Sequence, residues 1–195
     1  QLAEDDSFFL DLNNNVSDPD GDAITFRFLN FTSFPSFAIL GSTITFFAND
    51  SDVGLQKVLV NASDSKLGVS QQLLTFNISN KNDTPFIQNI GNQNTTEDSR
   101  TLIFVNLFDD DFRVKQKDYF NESLSHNMTL VGPNPNLFGL QFDSQADNFV
   151  KLVMDFTPRK TDVGNYTVIL NVTDSTGFAY ATTFNLTISE VNHAP

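Results

Sequence analysis

The feature that most constrains this 195-residue chain is that its second half repeats its first. Asp52-Val53-Gly54 recurs as Asp162-Val163-Gly164, and Asn61-Ala62-Ser63-Asp64-Ser65 as Asn171-Val172-Thr173-Asp174-Ser175. Asn82-Asp83-Thr84-Pro85 recurs as Asn192-His193-Ala194-Pro195, and all three pairs are spaced by 110 residues. Nearer the starts, Glu4-Asp5 corresponds to Glu97-Asp98 at a spacing of 93, so the second copy holds 110 − 93 = 17 extra residues. A duplication of this length implies two domains with separate cores. The expected division is residues 1–85, including a linker at 80–85, and residues 86–195, with an insert near 110–140. The linker is short and polar, and Pro85 limits its swivel, so the expectation is a stiffly joined pair that makes a rod.

Within each copy the apolar residues alternate with polar ones, the period of a half-buried strand. Strands are expected near 7–12, 23–29, 43–48, 55–63 and 70–79, and again near 101–108, 127–131, 149–156, 165–173 and 178–188. Ile24, Phe26 and Phe28 should point inward, with Thr25 and Arg27 outward; Tyr166, Val168, Leu170 and Val172 form a second inward row. No segment sustains a helical period, so the fold class is all-β. Two tandem antiparallel Greek-key β-sandwiches of about 100 residues each are the expected architecture. The insert, with Lys115, Lys117, His126 and the loop Gly132-Pro133-Asn134-Pro135-Asn136, is the least regular part.

Composition removes several function classes. With 11 Lys+Arg against 24 Asp+Glu the net charge is -13, so a nucleic-acid backbone or an anionic membrane repels the chain. No apolar run reaches the length of a membrane span, and Gln1-Leu2-Ala3-Glu4-Asp5-Asp6 lacks the features of a signal peptide, so the chain is read as mature or as an excerpt. Cysteine is absent, which excludes disulfides, thiol nucleophiles and Cys-ligated zinc. His126 and His193 stand in no hydrolase or metal motif, and neither a P-loop nor a GxSxG elbow occurs. A binding or structural protein is expected, and not an enzyme.

Asn-x-Ser/Thr acceptors begin at Asn15, Asn30, Asn49, Asn61, Asn77, Asn82, Asn94, Asn121, Asn127, Asn165, Asn171 and Asn185, twelve in all. Random placement of 22 Asn and 34 Ser+Thr gives roughly four. Turn and strand-face composition enriches the triplet by itself. Yet in Phe184-Asn185-Leu186-Thr187-Ile188 and Phe76-Asn77-Ile78-Ser79 the alternation turns the acceptor toward water. N-linked glycans are therefore expected. Many acceptors without cysteine imply an extracellular or cell-surface setting independent of oxidative folding, with an archaeal surface favoured.

The stretches Asp162-Val163-Gly164-Asn165-Tyr166-Thr167-Val168, Asn171-Val172-Thr173-Asp174-Ser175-Thr176-Gly177, Val191-Asn192-His193-Ala194-Pro195 and Ser17-Asp18-Pro19-Asp20-Gly21-Asp22 resemble the cadherin-like superfamily. The resemblance is to the dystroglycan-type cadherin-like and related Ig-like tandem repeats of surface proteins, and it covers both copies apart from the insert. It implies Ca2+ at the interdomain junction, held by Glu4, Asp52, Asn82, Asp83, Asp109, Asp111 and Asp174. It implies half-sites toward neighbouring domains at Asp18, Asp20, Asp22 and Asp64, and at Glu97, Asp162 and Asn192. The second copy departs from the pattern at Asp109-Asp110-Asp111-Phe112 and at His193, which stands where the linker acid Asp83 does in the first. The other reading of these carboxylates is that they cap turns through side chain to backbone bonds.

The expected function is a glycosylated structural or adhesive module, one segment of a tandem array in a surface layer (S-layer), sheath, filament or adhesin. Its partners would be neighbouring domains, copies of the same protein, or surface carbohydrate or protein, with no nucleic acid and no direct membrane insertion. One alternative is a carbohydrate- or protein-recognition module that uses Phe112, Tyr119, Phe120 and Phe138 of the insert; another is a filament subunit that exchanges the strand Ser7-Phe8-Phe9-Leu10-Asp11-Leu12.

Overall fold

The computed structural model describes residues 2–29, 36–111, 123–146 and 149–193. It divides the chain into two compact units, Gln1–Lys81 and Asn82–Pro195. The first holds β1 (Leu2–Ala3), β2 (Ser7–Asp11), β3 (Thr25–Leu29), β4 (Ala38–Leu40), β5 (Thr43–Phe47), β6 (Gly54–Ser63) and β7 (Val69–Ser79). The second holds β8 (Phe86–Ile87), β9 (Gln93–Thr96), β10 (Thr101–Phe108), β11 (Ser125–Val131), β12 (Gln141–Ala146), β13 (Phe149–Phe156), β14 (Gly164–Thr173) and β15 (Ala179–Ser189).

In the first unit one sheet runs β1-β7-β6-β3 and the other β2-β5-β4. Their inward rows meet in one core: Ile44 and Phe46 from β5 lie among Val58, Val60, Phe76 and Ile78 from β6 and β7. Phe8, Phe46 and Phe76 form a three-ring cluster with centroids 5.0 to 5.3 Å apart. Phe26 and Phe28 face this core, as alternation predicts, while Thr25 and Arg27 are exposed. Burial of each large side chain stabilises the unit by about 1.5–3 kcal/mol before the entropy of ordering is subtracted.

The second unit pairs sheet β11-β14-β15-β9 with sheet β12-β13-β10-β8. Its core takes Tyr166, Val168, Leu170 and Val172 from β14, at most 2% exposed, against Val105, Leu107, Leu152 and Met154 from the facing sheet. Both units are β-sandwiches, and all ten expected strands are present, with ends shifted by at most two residues. One sheet in each unit is nevertheless mixed: a short edge strand runs parallel to its partner, β1 on β7 and β9 on β15. These strands, with β4, β8 and β12, were not expected. They are two to six residues long, and Gln93-Asn94-Thr95-Thr96 and the fully exposed β12 bury no alternating apolar face that periodicity could reveal.

The duplication holds at the level of single hydrogen bonds. Glu4 N donates to Ser79 O, and Glu97 N to Ser189 O, both at 3.0 Å. Asp5 and Asp98, the next residues, both take positive φ, 64° and 60°. The two Asp-Val-Gly segments each begin on the last residue of a 3-10 turn, Asp50–Asp52 and Lys160–Asp162, and that aspartate caps the turn from within.

Candidate metal-binding carboxylates and glycan acceptors

Eight polar residues are buried among the described residues, and seven of them are carboxylates: Glu4, Asp52, Glu97, Asp109, Asp111, Asp162 and Asp174, with Gln56 the eighth. Such burial has to be compensated by hydrogen bonds or opposite charge.

In the first unit, Glu4 Oε1 accepts from the Lys81 backbone N–H. Asp52, fully buried, accepts at Oδ2 from Asn49 N at 3.0 Å and from the Ser36 hydroxyl. Its Oδ1 is buried with no hydrogen-bond partner among the described residues. Asp18 Oδ1 accepts from Asp20 N and Asp22 N at 2.9 and 3.1 Å, while Asp64 Oδ1 accepts from Lys66 N and Gly68 N at 2.7 and 2.8 Å. Asp18 and Asp64 line one shallow hollow with Ile24. Asp20 is exposed, and Asp22 pairs with Lys66 at 3.2 Å.

In the second unit all five expected ligands fall on one chain of hydrogen bonds. Asp174 Oδ2 accepts from Asn82 Nδ2 at 2.9 Å, Asp83 N donates to Asp111 Oδ2 at 2.6 Å, and Asp111 N donates to Asp109 Oδ1 at 2.8 Å. Asp109 and Asp111 are 1% exposed and Asp174 is 5%. Asp174 Oδ1 also accepts from Thr176 N, Thr176 Oγ1, Gly177 N and Phe178 N at 2.7 to 2.9 Å. Burial pushes the Asp174 carboxyl up, but the bonds from Asn82, Thr176, Phe178 and Gly177 outweigh it and hold the group below its usual value.

The donor set fits a hard cation. In the second unit it is carboxylate and amide oxygen throughout, the ligand chemistry calcium takes in sixes to eights; in the first unit, by itself, Asp52 Oδ1 has no hydrogen-bond partner among the described residues. Asn82 fits both of its expected roles less well. Its Nδ2 donates to Asp174 and to the Asp83 carbonyl, and its Oδ1 accepts from Thr176 Oγ1.

The remaining half-site residues are in different states. Asp162 spends Oδ2 on Arg159 N and Oδ1 on Asn134 Nδ2, at 2.8 and 2.9 Å, so it caps its own turn. Asn192 is exposed. Glu97 Oε1 accepts from Val191 N at 2.8 Å and lies 3.7 Å from His193 Nε2, which is 3.4 Å from Asp98 Oδ2. Glu97, Asp98 and His193 offer ligand atoms within 4.8 Å of one another. Asp98 was not among the expected ligands; its pairing with Asp5 in the repeat was the available signal.

Of the acceptors, Asn30 and Asn121 lie outside the described residues, as do Phe112, Tyr119 and Phe120 of the insert. Phe138 stacks on Phe156 at 4.3 Å and packs, partly buried, against the core. Ser7–Asp11 is strand β2 of its own unit, paired with β5, and Leu12 is buried. Asn15 and Asn49 sit in exposed connections, and Asn61 and Asn77 on β6 and β7. In the second unit Asn94, Asn127, Asn165, Asn171 and Asn185 are on β9, β11, β14, β14 and β15 of one sheet. Register places Asn165 opposite Thr187 and Asn185 opposite Thr167, and Thr187 Oγ1 donates to Asn165 Oδ1 at 3.0 Å.

No family model matches the chain, and no curated protein matches it. Among solved structures it is similar to PcdhgB3 EC1-4, at 19% identity and a TM-score of 0.51, covering 87% of this chain and 41% of that one. It is also similar to protocadherin gamma B2 extracellular cadherin domains 1-5, at 21% identity and a TM-score of 0.49, covering 86% and 32%. An endo-fucoidan hydrolase of glycoside hydrolase family 107 gives 16% identity and a TM-score of 0.40 over 89% and 24%, a likeness that carries no argument about activity. The chain spans well under half the length of these structures. The fold is cadherin-like.

Proposed function

We propose that this chain is a glycosylated, extracellular structural or adhesive module of a tandem surface array, stiffened by calcium, with a mechanical and interfacial role rather than a catalytic one. The observation that carries this reading is the hydrogen-bonded chain Asp174–Asn82–Asp83–Asp111–Asp109, in which three carboxylates are almost fully buried. Carboxylates gathered out of water repel one another, and a divalent cation is the economical neutraliser. When bound, calcium supplies that positive charge. Asp83, Asp109, Asp111 and Asp174 would hold it, with the Asn82 amide oxygen after the amide turns; the resemblance adds Glu4 and Asp52. The loop donors to Asp174 keep it ionised and oriented.

The fold supports an adhesive or structural role, and the excess of acceptors supports the glycosylated setting. Partners are proposed to be neighbouring domains or other copies of the chain. The test is calorimetric titration of calcium into chelator-treated protein, with thermal unfolding in parallel, since a ligand of the native state raises apparent stability. Heat and a thermal shift that disappear in Asp83→Asn and Asp174→Asn support the reading. Absence of both makes the carboxylates turn caps and the chain a calcium-free spacer.

A further inference from the structure

The second unit's sandwich has two chemically opposite faces. Its sheet β11-β14-β15-β9 carries five acceptors, with Asn94 and Asn165 both opposite Thr187 and Asn127 opposite Asn171, so all share the outward side with a lawn of threonine. None of the ten acceptors among the described residues lies on the other sheet, β12-β13-β10-β8. That sheet's outward face carries an apolar row beside a few charged side chains. Phe86, Leu102 and Phe104 are 46 to 47% exposed, and register sets them in rows with Phe108, Phe149 and Val153. Phe86 stacks on Phe108 at 5.1 Å, and Phe108 meets Phe149 at 5.5 Å. A contiguous exposed apolar patch of this kind marks an interaction surface, and it is the face that bulky glycans would leave bare.

We infer that this glycan-free aromatic face is a self-complementary docking surface for a second copy of the chain, the two copies packing sheet on sheet about a two-fold axis. The inference rests on the acceptors being glycosylated, and it names the partner surface of the proposed module. The charges identify the occupant. A chain of net charge -13 repels its own copies, yet this face is locally neutral: Lys151 lies 3.3 Å from Asp143, and Arg100 grips Asp155 with two bonds of 2.9 and 2.6 Å. Lys151, Val153 and Asp155 alternate outward along β13. A two-fold axis across that strand at Val153 sets Val153 on its own counterpart and Lys151 against Asp155 of the other copy, twice over, which is the condition for an isologous interface. The same axis places Phe104, whose ring lies under Lys151 Nζ at 4.0 Å, on Phe104. Aligned sheets packed this way interdigitate their side chains into a shared core.

The experiment is sedimentation analysis of the full chain made in a glycosylating host, with intact mass before and after glycan removal. The expected result is a concentration-dependent doubling of mass. Lys151→Glu alone and Asp155→Lys alone should each sediment as monomers, because like charges then face one another, and an equimolar mixture of the two should recover the doubled mass, because Glu at 151 then meets Lys at 155. A second variant, Phe104→Asn with Asn106→Thr, creates an acceptor in the middle of the face; its glycan should abolish the dimer, while its unfolding temperature should match that of wild type at dilutions where wild type is monomeric. A wild-type chain that stays monomeric, a dimer indifferent to all these changes, or a mixture that fails to pair overturns the inference. Intact mass and the calcium titration report on the proposed function separately. Glycans with no dimer sink this surface alone, and unmodified acceptors sink the glycosylated reading, while the charge-swap mixture still decides the face.

Discussion

The Tyr166 hydroxyl donates to the Asp162 backbone carbonyl oxygen at 2.8 Å, tying the start of β14 to the turn that precedes it. In the first unit Gln56 Nε2 makes the equivalent bond to the Asp52 carbonyl, also at 2.8 Å. The duplication has thus kept the bond and changed the donor. Tyr166 is 2% exposed, and burial raises its hydroxyl pKa, so it remains the neutral donor.

Tyr166→Phe leaves that carbonyl without its side-chain donor and should destabilise the second unit by about 1–3 kcal/mol. All three tyrosines, Tyr119, Tyr166 and Tyr180, fall in the second unit, so tyrosine fluorescence during urea unfolding isolates its transition. An unmoved midpoint would show that the bond contributes nothing net.

Gly132→Ala should be costly for a different reason. A Cβ there would lie 2.2 Å from Tyr166 Cδ1 and 2.7 Å from Cγ, and the ring is locked in the core. Overpacking of this kind costs about 1–3 kcal/mol. The same fluorescence transition should move to lower urea; a stable Gly132→Ala chain would mean that the β11 loop yields easily.

Acid stability should depend on Asp174. Its folded pKa is depressed below 3.8, so its contribution is complete above the unfolded value and is lost as pH falls through the folded one. With chelator present, the melting-temperature gap between wild type and Asp174→Asn should be constant near neutrality and close at the acid end. A gap of the same size at every pH would contradict the assignment.

Glycan occupancy should follow geometry. Exposed strand positions Asn94, Asn127, Asn165 and Asn185 should be modified, whereas half-buried Asn82, with Nδ2 donating to Asp174, should not. Enzymatic glycan release in heavy-oxygen water marks each modified asparagine in the peptide mass spectrum. Label at Asn82 would show that its bond to Asp174 yields to the sugar.

Legibility differed from residue to residue. Long strands such as β14 were readable because Tyr166, Val168, Leu170 and Val172 recur at the strand period and all bury against one sheet. Strand β12 was not, because Gln141-Phe142-Asp143-Ser144-Gln145-Ala146 is exposed on every residue and exists through its pairing with β13. The carboxylates of the second unit were identifiable from the repeat and the resemblance, but the bond from Asp83 N to Asp111 was not. Nor was the diversion of Asp162 to Asn134, since each joins residues 28 apart in sequence.

By itself, the sequence determined that this chain is a duplicated all-β protein, which residues of each long strand face inward, and where acidic and acceptor residues fall. Those properties are local, set by alternation and by the chemistry of neighbouring residues. Tertiary structure alone decided that five acceptors share one sheet while Phe86, Phe104 and Phe108 share the opposite one. A period of two tells inside from outside for any strand, but which sheet the strand joins depends on hydrogen bonds to partners distant in the chain, such as β10 on β13 and β9 on β15.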